Sequence, residues 1–307
     1  MYSMDVQRLE FFVKVVEMGS FSKAAIALRM SQSALSRQIM ELEDSVRQRL
    51  LLRTGRGVAP SEAGRVLLSH ARAILSIADQ AKQEIADLDV APRGRVSLGI
   101  PPLMALRFGA ELVTRFHSQF PEASLTLAEG LSLNLREWLL DGRLDAAILY
   151  DSPPLVQLDY EVLSREPLAL FGPRSAPRLP GTVPIAKLAR YPLVLPSAPN
   201  AIRTLVDAVL REKEIRLKVV AEVASAPTLL SLVSQGLAYT ILPASATRTA
   251  IAPEHLQIAR LTGPVIYNRA TLAVPRTRPL SRLGRELIAL VRTICRTVST
   301  DEGDRPT

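Results

Sequence analysis

Four residues in one short segment have the types and spacing to do chemistry on a base edge. In Ser31-Gln32-Ser33-Ala34-Leu35-Ser36-Arg37-Gln38-Ile39, the residues Gln32, Ser33, Ser36 and Arg37 lie off an apolar stripe of Leu35, Ile39, Leu42 and Val46 that recurs at helical spacing. Glutamine can pair bidentately with adenine and arginine with guanine, and helices that read a major groove use their N-terminal residues to do so. Ser22 lies a short way upstream. Leu52-Arg53-Thr54-Gly55-Arg56-Gly57-Val58 follows downstream, a basic loop with Arg53, Thr54 and Arg56 as candidates for phosphate or minor-groove contact.

The flanking residues are those needed to hold such a helix. Gly19 can stop a first helix whose apolar face includes Leu9, Phe12, Val13 and Val16. Ser20 and Ser31 suit the N-caps of a second and a third helix. Ala24 and Ala25 are small enough for those two helices to cross closely. The order predicts helix, turn, helix and a basic wing.

Residues 5 to 65 resemble the winged helix-turn-helix of LysR-type transcriptional regulators. The resemblance rests on Gly-Ser-Phe at 19–21, Ala-Ala at 24–25, the 31–39 segment above, Leu-Glu at 42–43, Arg-Thr-Gly-Arg-Gly-Val at 53–58 and Ser-Glu-Ala-Gly at 61–64. Ser33 stands where the family usually has proline. Both residues are tolerated early in a helix.

The 307 residues suffice for two or three domains. The formal net charge of +8 suits a polyanion partner or a merely basic protein, and only +3 of it falls in residues 1–60. The single cysteine, Cys295, excludes an intrachain disulfide, and its apolar surroundings in a late helix predict a packed thiol. His70, His117 and His255 show no ligand spacing, so no metal and no cofactor is expected. There is no export signal or long uncharged apolar run, which points to the cytoplasm of a prokaryote and no membrane.

Ser61 to Leu88 reads as one long helix. Leu67, Ile74, Ala81 and Leu88 recur every seven residues, with Ala71, Ala78 and Ile85 beside them. Such a stripe predicts a seam with a symmetry mate, the alternative being packing on the helix's own domain. In the resembled family this is the dimerising linker helix. A hinge is expected over Asp89 to Arg95, and a disordered polar tail over Ser299–Thr307.

Beyond the hinge, strands are predicted at Val96–Ile100, Leu125–Ala128, Ala146–Tyr150, Leu168–Phe171, Leu193–Leu195, Lys218–Glu222, Tyr239–Leu242 and Ala270–Val274. Helices are predicted at about 103–119, 133–141, 200–213, 226–235 and 280–298. The alternation argues for an α/β fold with parallel-rich sheets flanked by helices.

Residues 91–300 resemble the family's effector domain, a two-lobed fold similar to periplasmic solute-binding proteins. The motifs are Asp141 to Ile148, Leu195-Pro196-Ser197 and Gln235 to Pro243. The resemblance implies three domains: 1–60, the linker helix at 61–90, and an effector domain at 91–307. Lobe I would cover about 91–163 plus 268–300, and lobe II about 164–267. Ile148 to Pro153, and Leu195-Pro196-Ser197 with Ala201-Ile202-Arg203, are most similar to the nitrogen-assimilation-control branch.

Ligands in open α/β sheets bind off the carboxyl ends of strands, near helix N-termini. That rule gathers Pro101, Pro102, Leu103, Ser132, Tyr150, Ser197, Asn200, Arg203 and Thr228 as an effector site. Ser132, Asn134 and Asn200 have helix capping as an alternative role, and Arg203 has pairing with an acid. Family members often place a hydroxyl after the first strand of this domain to hold a carboxylate, whereas Pro101-Pro102-Leu103-Met104 offers none. A small, partly apolar acid is therefore the expected effector.

The partners implied are double-stranded DNA with an interrupted palindromic operator, a small molecule, a second copy or three more in a homodimer or homotetramer, and RNA polymerase. The competing readings are a regulator of the same fold without an effector and, further off, a solute-binding protein. An enzyme is least expected, because Gly-x-Ser-x-Gly, phosphate-loop and His-Glu-x-x-His motifs are all missing.

Overall fold

The structure is a computed structural model that describes residues 5–55, 57–86, 92–249, 253–276 and 278–300. Contacts cluster into two compact units, one holding the N-terminal helices and wing, the other holding the larger sheets.

In the first unit, helix α1 (Val6–Met18) is capped by the Asp5 carboxylate and closed by Gly19 in the left-handed region (φ 59°). Helix α2 (Phe21–Ala27) starts at Ser20, whose hydroxyl accepts from the Lys23 N–H, and α3 (Gln32–Val46) starts at Ser31, whose hydroxyl accepts from Ala34. Leu9, Phe12, Ala24, Ala25, Leu35, Ile39 and Leu42 form one buried core. Each fully buried Leu, Ile or Phe contributes about 1.5–3 kcal/mol.

Strands β1 (Leu51–Thr54) and β2 (Gly57–Pro60) form the antiparallel wing. Glu43 fastens it to α3, because its Oε1 accepts from the N–H groups of both Leu50 (2.7 Å) and Leu51 (3.1 Å). The Val58 N–H donates to the Gly19 carbonyl at 2.8 Å and ties the wing to the end of α1.

Helix α4 (Glu62–Ala86) begins at Ser61, whose hydroxyl accepts from Gly64 and donates to the Arg49 carbonyl. Its packing corrects part of the expected seam. Leu67 and Ile74 pack against the core of their own unit, together with Leu68, Leu75 and the buried Ala71, so that part of the heptad stripe is accounted for within one chain. Ala81 is exposed, and Leu88 lies outside the described residues. Val66, Ile77 and Ile85 are apolar and exposed on the same helix.

The second unit runs β3 (Gly94–Ile100), α5 (Pro102–Gln119), β4 (Ala123–Glu129), α6 (Ser132–Leu140), β5 (Ala146–Tyr150) and the sixteen-residue β6 (Leu158–Pro173). It continues with β7 (Thr182–Pro184), β8 (Pro192–Leu195), α7 (Ala201–Glu212), β9 (Lys218–Glu222), α8 (Ala226–Ser234) and β10 (Thr240–Pro243), and closes with β11 (Leu256–Thr262), β12 (Tyr267–Pro275) and α9 (Arg282–Thr300).

The strand order is β4-β3-β5-β12-β6-β11-β7, with β10 also on β6, and β8-β9 forms a separate pair. The expectation of parallel-rich sheets holds only in part. The pairs β3/β4, β3/β5, β8/β9 and β7/β11 are parallel, whereas β12 is antiparallel to β5 and β6, and β6 is antiparallel to β10 and β11. The first half of β6 pairs with β12 and its second half with β10 and β11, so one strand serves both lobes. The β6–β12 ladder shifts register between Ala270 and Thr271.

Arg107 on α5 and Glu166 on β6 form a buried ion pair at 2.7 Å, with side chains 8% and 14% exposed. The Ser245 hydroxyl, in the 3-10 turn after β10, donates to the other carboxylate oxygen of Glu166. Among the described residues no helix is long and apolar enough to cross a membrane, and no cluster of metal-ligating side chains occurs.

Candidate nucleic-acid interface and ligand cleft

The polar face of α3 is solvent-accessible while its stripe is buried. Gln32, Ser33 and Arg37 are exposed and Ser36 is half-buried, whereas Leu35, Ile39 and Leu42 are in the core. Gln32, Ser33, Ser36 and Arg37 fall within an arc of about 140° on a helix that turns 100° per residue. Met40, which sequence reasoning did not single out, lies in the same arc and is 53% exposed. Its apolar character at a recognition position was the available signal, since a methionine there can contact a thymine methyl.

The side chains on this face are held before any partner arrives. Ser22 on α2 donates its hydroxyl to Gln32 Oε1 at 2.8 Å, which leaves the Nε2 hydrogens of Gln32 for an outside acceptor. Ser31 is a cap, and its hydroxyl lies 3.1 Å from that of Ser33. Arg37, 77% exposed, donates from Nε to Glu41 Oε1 at 3.2 Å, and Glu41 is gripped from behind by Arg8 Nη2 at 2.7 Å. The backbone of Arg53 and Thr54 lies in β1 of the wing. Arg56 lies outside the described residues.

A cleft in the second unit spans about 530 Å³ of empty space, the open solvent at its mouth included. Pro101, Pro102, Leu103, Ser132, Tyr150 and Asn200 line it as expected, together with Gly130, Leu131, Ala201, Ile202 and Ala226. Pro196, Ala224, Leu229 and Leu242 also line it and were not anticipated, because an apolar side chain that faces a cleft has the same sequence signature as one in the core.

Three expected ligands stand apart from the cleft. Ser197 and Thr228 are not in its lining, and Thr228 is exposed on α8, its N–H capped by Ser225. Arg203 is committed elsewhere. Its Nε donates to Asp207 at 2.8 Å and its Nη1 to Glu222 at 2.7 Å and the Pro196 carbonyl at 3.4 Å. With two carboxylates on this guanidinium, the structure favours the alternative role of Arg203, pairing with acids, over the expected charge-assisted bond to a ligand.

Among the described residues no charged side chain lines the cleft. At two of the helix N-termini donors are reduced: Pro101 and Pro102 carry no N–H, and Asn200 Oδ1 already accepts from the first turn of α7. The Ser132 hydroxyl accepts from the Tyr150 N–H at 2.8 Å. Burial, reinforced by Glu166 and opposed by Arg107 and a hydrogen bond from Asn268, pushes the Tyr150 phenol far above its ordinary value. The phenol is therefore a neutral donor throughout the physiological range.

Cys295 is buried in α9, and burial pushes its thiol up to about 11, Arg107 pulling against it and Glu166 adding to it. Only on the order of one thiol in ten thousand is ionised at pH 7, which disfavours a redox-sensing role.

These two sites sit on a chain with clear relatives. The profile described as "Bacterial regulatory helix-turn-helix protein, lysR family" matches residues 6–65, and that described as "LysR substrate binding domain" matches residues 90–296. The nitrogen assimilation regulatory protein nac of Escherichia coli K12 is 33% identical over 292 residues, 95% of each chain. Its counterpart from Klebsiella aerogenes is 35% identical over 262 residues, 85% of each chain. Among solved structures, a full-length OxyR point variant from Pseudomonas aeruginosa superposes with a TM-score of 0.78 at 21% identity, covering 96% of this chain and 95% of that one. Full-length CbnR complexed with its target DNA gives a TM-score of 0.64 at 23% identity over 94% and 99%. The chain belongs to the LysR family of bacterial helix-turn-helix regulatory proteins.

Proposed function

We propose that this LysR-family transcriptional regulator reads an interrupted palindromic operator in double-stranded DNA through the exposed face of α3. It does so as a homodimer or homotetramer in the cytoplasm, and RNA polymerase responds to the complex. The observation that carries the reading is the exposure of Gln32, Ser33 and Arg37 above the buried Leu35, Ile39 and Leu42 on a helix whose N-terminus is accessible. Ser22, Ser31 and Ser36 support that face, and Arg53, Thr54 and Arg56 supply the wing. Val66, Ile77 and Ile85, with Ala81, offer the exposed apolar side of α4 to a second copy.

Arg37→Ala is expected to lose about 1–3 kcal/mol of specific binding with little change on random duplexes. Arg53→Ala is expected to weaken both alike and to reduce the salt slope by about one. Titrations on an operator selected from a random duplex pool, at several salt concentrations, test both. Equal loss on operator and random DNA for Arg37→Ala would reassign that residue to the backbone.

The cleft binds the effector, and its chemistry moves the effector away from an acid. An uncharged, largely apolar small molecule with one acceptor for the Tyr150 hydroxyl fits a lining of uncharged side chains. Melting of the full chain against matched neutral and acidic pairs, such as benzamide and benzoate, tests this. A neutral ligand held at 100 times its dissociation constant stabilises the fold by about 2.7 kcal/mol, and Tyr150→Phe reduces the shift. A response confined to the acids would restore the acid reading. No response from a broad panel, with an operator footprint that never changes, would favour a regulator controlled by its own abundance.

A further inference from the structure

An acidic residue beside the exposed face of α3, Glu41, has no obvious place near a polyanion. Glu41 is one turn beyond Arg37, and its carboxylate would repel phosphates if it stood alone. It does not stand alone. Arg8 reaches across from α1 to Glu41 Oε2 at 2.7 Å, with side chains 16% and 22% exposed. Arg8 is itself steadied, its Nε donating to Gln38 Oε1 at 3.1 Å and lying 3.5 Å from Asp5. Glu41 is thus a fixed acceptor, anchored from the core side, with its other oxygen on Arg37 Nε at 3.2 Å.

We propose that Glu41 is a positioning residue that orients Arg37 to read guanine end-on. The inference rests on the groove-reading role of α3. A guanidinium has five N–H donors in a rigid fork. With Nε spent on Glu41, the two terminal nitrogens remain as a parallel pair, and that pair matches the O6 and N7 acceptors of guanine. Most of the ordering of a long, exposed side chain is then done in the free protein, so less rotamer entropy is lost on binding. Two arginines offset the carboxylates of Glu41 and Asp5, so Glu41 adds direction without making the face anionic.

The test uses the full chain and the operator selected by the wild-type protein, with each guanine replaced in turn by 7-deazaguanine, which lacks the N7 acceptor. The wild type is expected to lose on the order of 10- to 100-fold in affinity at one guanine per half-site. Glu41→Ala is expected to lose most of that discrimination while binding random duplexes as well as or better than the wild type. Glu41→Gln keeps one of the two acceptor oxygens and is expected to fall between them, which covers the case where the alanine variant does not fold. Arg8→Met removes the anchor behind Glu41 while leaving the Arg37–Glu41 pair itself able to form, and is expected to lose part of the guanine discrimination, less than Glu41→Ala. Full discrimination in both Glu41 variants would overturn the positioning role. Loss of guanine discrimination in Glu41→Gln that comes only with an equal fall in affinity for random duplexes would overturn it too, by making the effect one of fold. Discrimination that survives Arg37→Ala would instead remove the groove-reading assignment beneath it.

Discussion

Glu166→Ala is expected to destabilise the effector unit by about 3–5 kcal/mol, because it leaves the Arg107 guanidinium buried without its carboxylate. Arg107 is only 8% exposed, so water cannot replace the lost partner, and the Ser245 hydroxyl loses its acceptor at the same time. A well-packed apolar pair at these positions would cost far less than the single truncation, since the penalty lies in the orphaned charge. For a unit of this size the melting transition is expected to fall by on the order of 10 °C. Glu166→Gln still offers its carbonyl oxygen to Arg107 and its amide N–H to the Ser245 oxygen, and is expected to lose less. Calorimetry of the full chain reads the effect, and a fall of under about 2 °C for Glu166→Ala would show that the pair carries no net stabilisation.

Gly64→Ala is expected to cost the N-terminal unit about 2–4 kcal/mol and with it most operator binding. A Cβ at Gly64 would sit inside the van der Waals radius of the Leu50 carbonyl oxygen, a backbone atom in the approach to the wing. The Leu50 carbonyl cannot step aside, because it already accepts from the Ser61 N–H at 2.9 Å, and the Leu50 N–H donates to Glu43. The substitution therefore pushes α4 and the wing apart. Gly181→Ala is the control. Nothing lies within 4 Å of its Cβ position, and it is expected to stay within about 0.5 kcal/mol of the wild type. Urea unfolding followed by far-ultraviolet circular dichroism measures both, and equal midpoints for the two would refute the clash.

Much of this was legible in the chain, for stated physical reasons. Capping residues and the 3.6-residue period located α1, α2 and α3, and turn residues bounded the strands of the second unit. Three features were not legible. Strands β7 and β11 and the first half of β6 were missed, because they are short or carry exposed polar residues such as Asp159, Glu161 and Arg165. The antiparallel pairing of β12 and β6 joins segments distant in sequence, which local pattern does not encode. The seven-residue stripe of α4 marks an apolar face but not which surface covers it, and Leu67 and Ile74 pack against their own core. At the cleft, the strand-end rule gathered the right segments. It could not show that Arg203 is spent on Asp207 and Glu222, because both acids are ordinary helix and strand residues until the chain folds.

The course of β6 through both lobes has a mechanical consequence. A β-strand scarcely stretches along its axis, whereas the angle between neighbouring strands varies over about 10–35° in ordinary sheets. Two lobes that share one unbroken strand, and whose second crossing is tied to it by the Leu168 N–H to Ile266 carbonyl hydrogen bond at 2.8 Å, move relative to each other by torsion rather than by sliding. The register shift opposite Ala270 and Thr271, where β6 carries the extra residue Leu163, gives the ladder a local place to take up that rotation. Occupancy of the cleft would then be reported to the rest of the regulator as an angle, with β6 serving as the torsion bar between the two lobes.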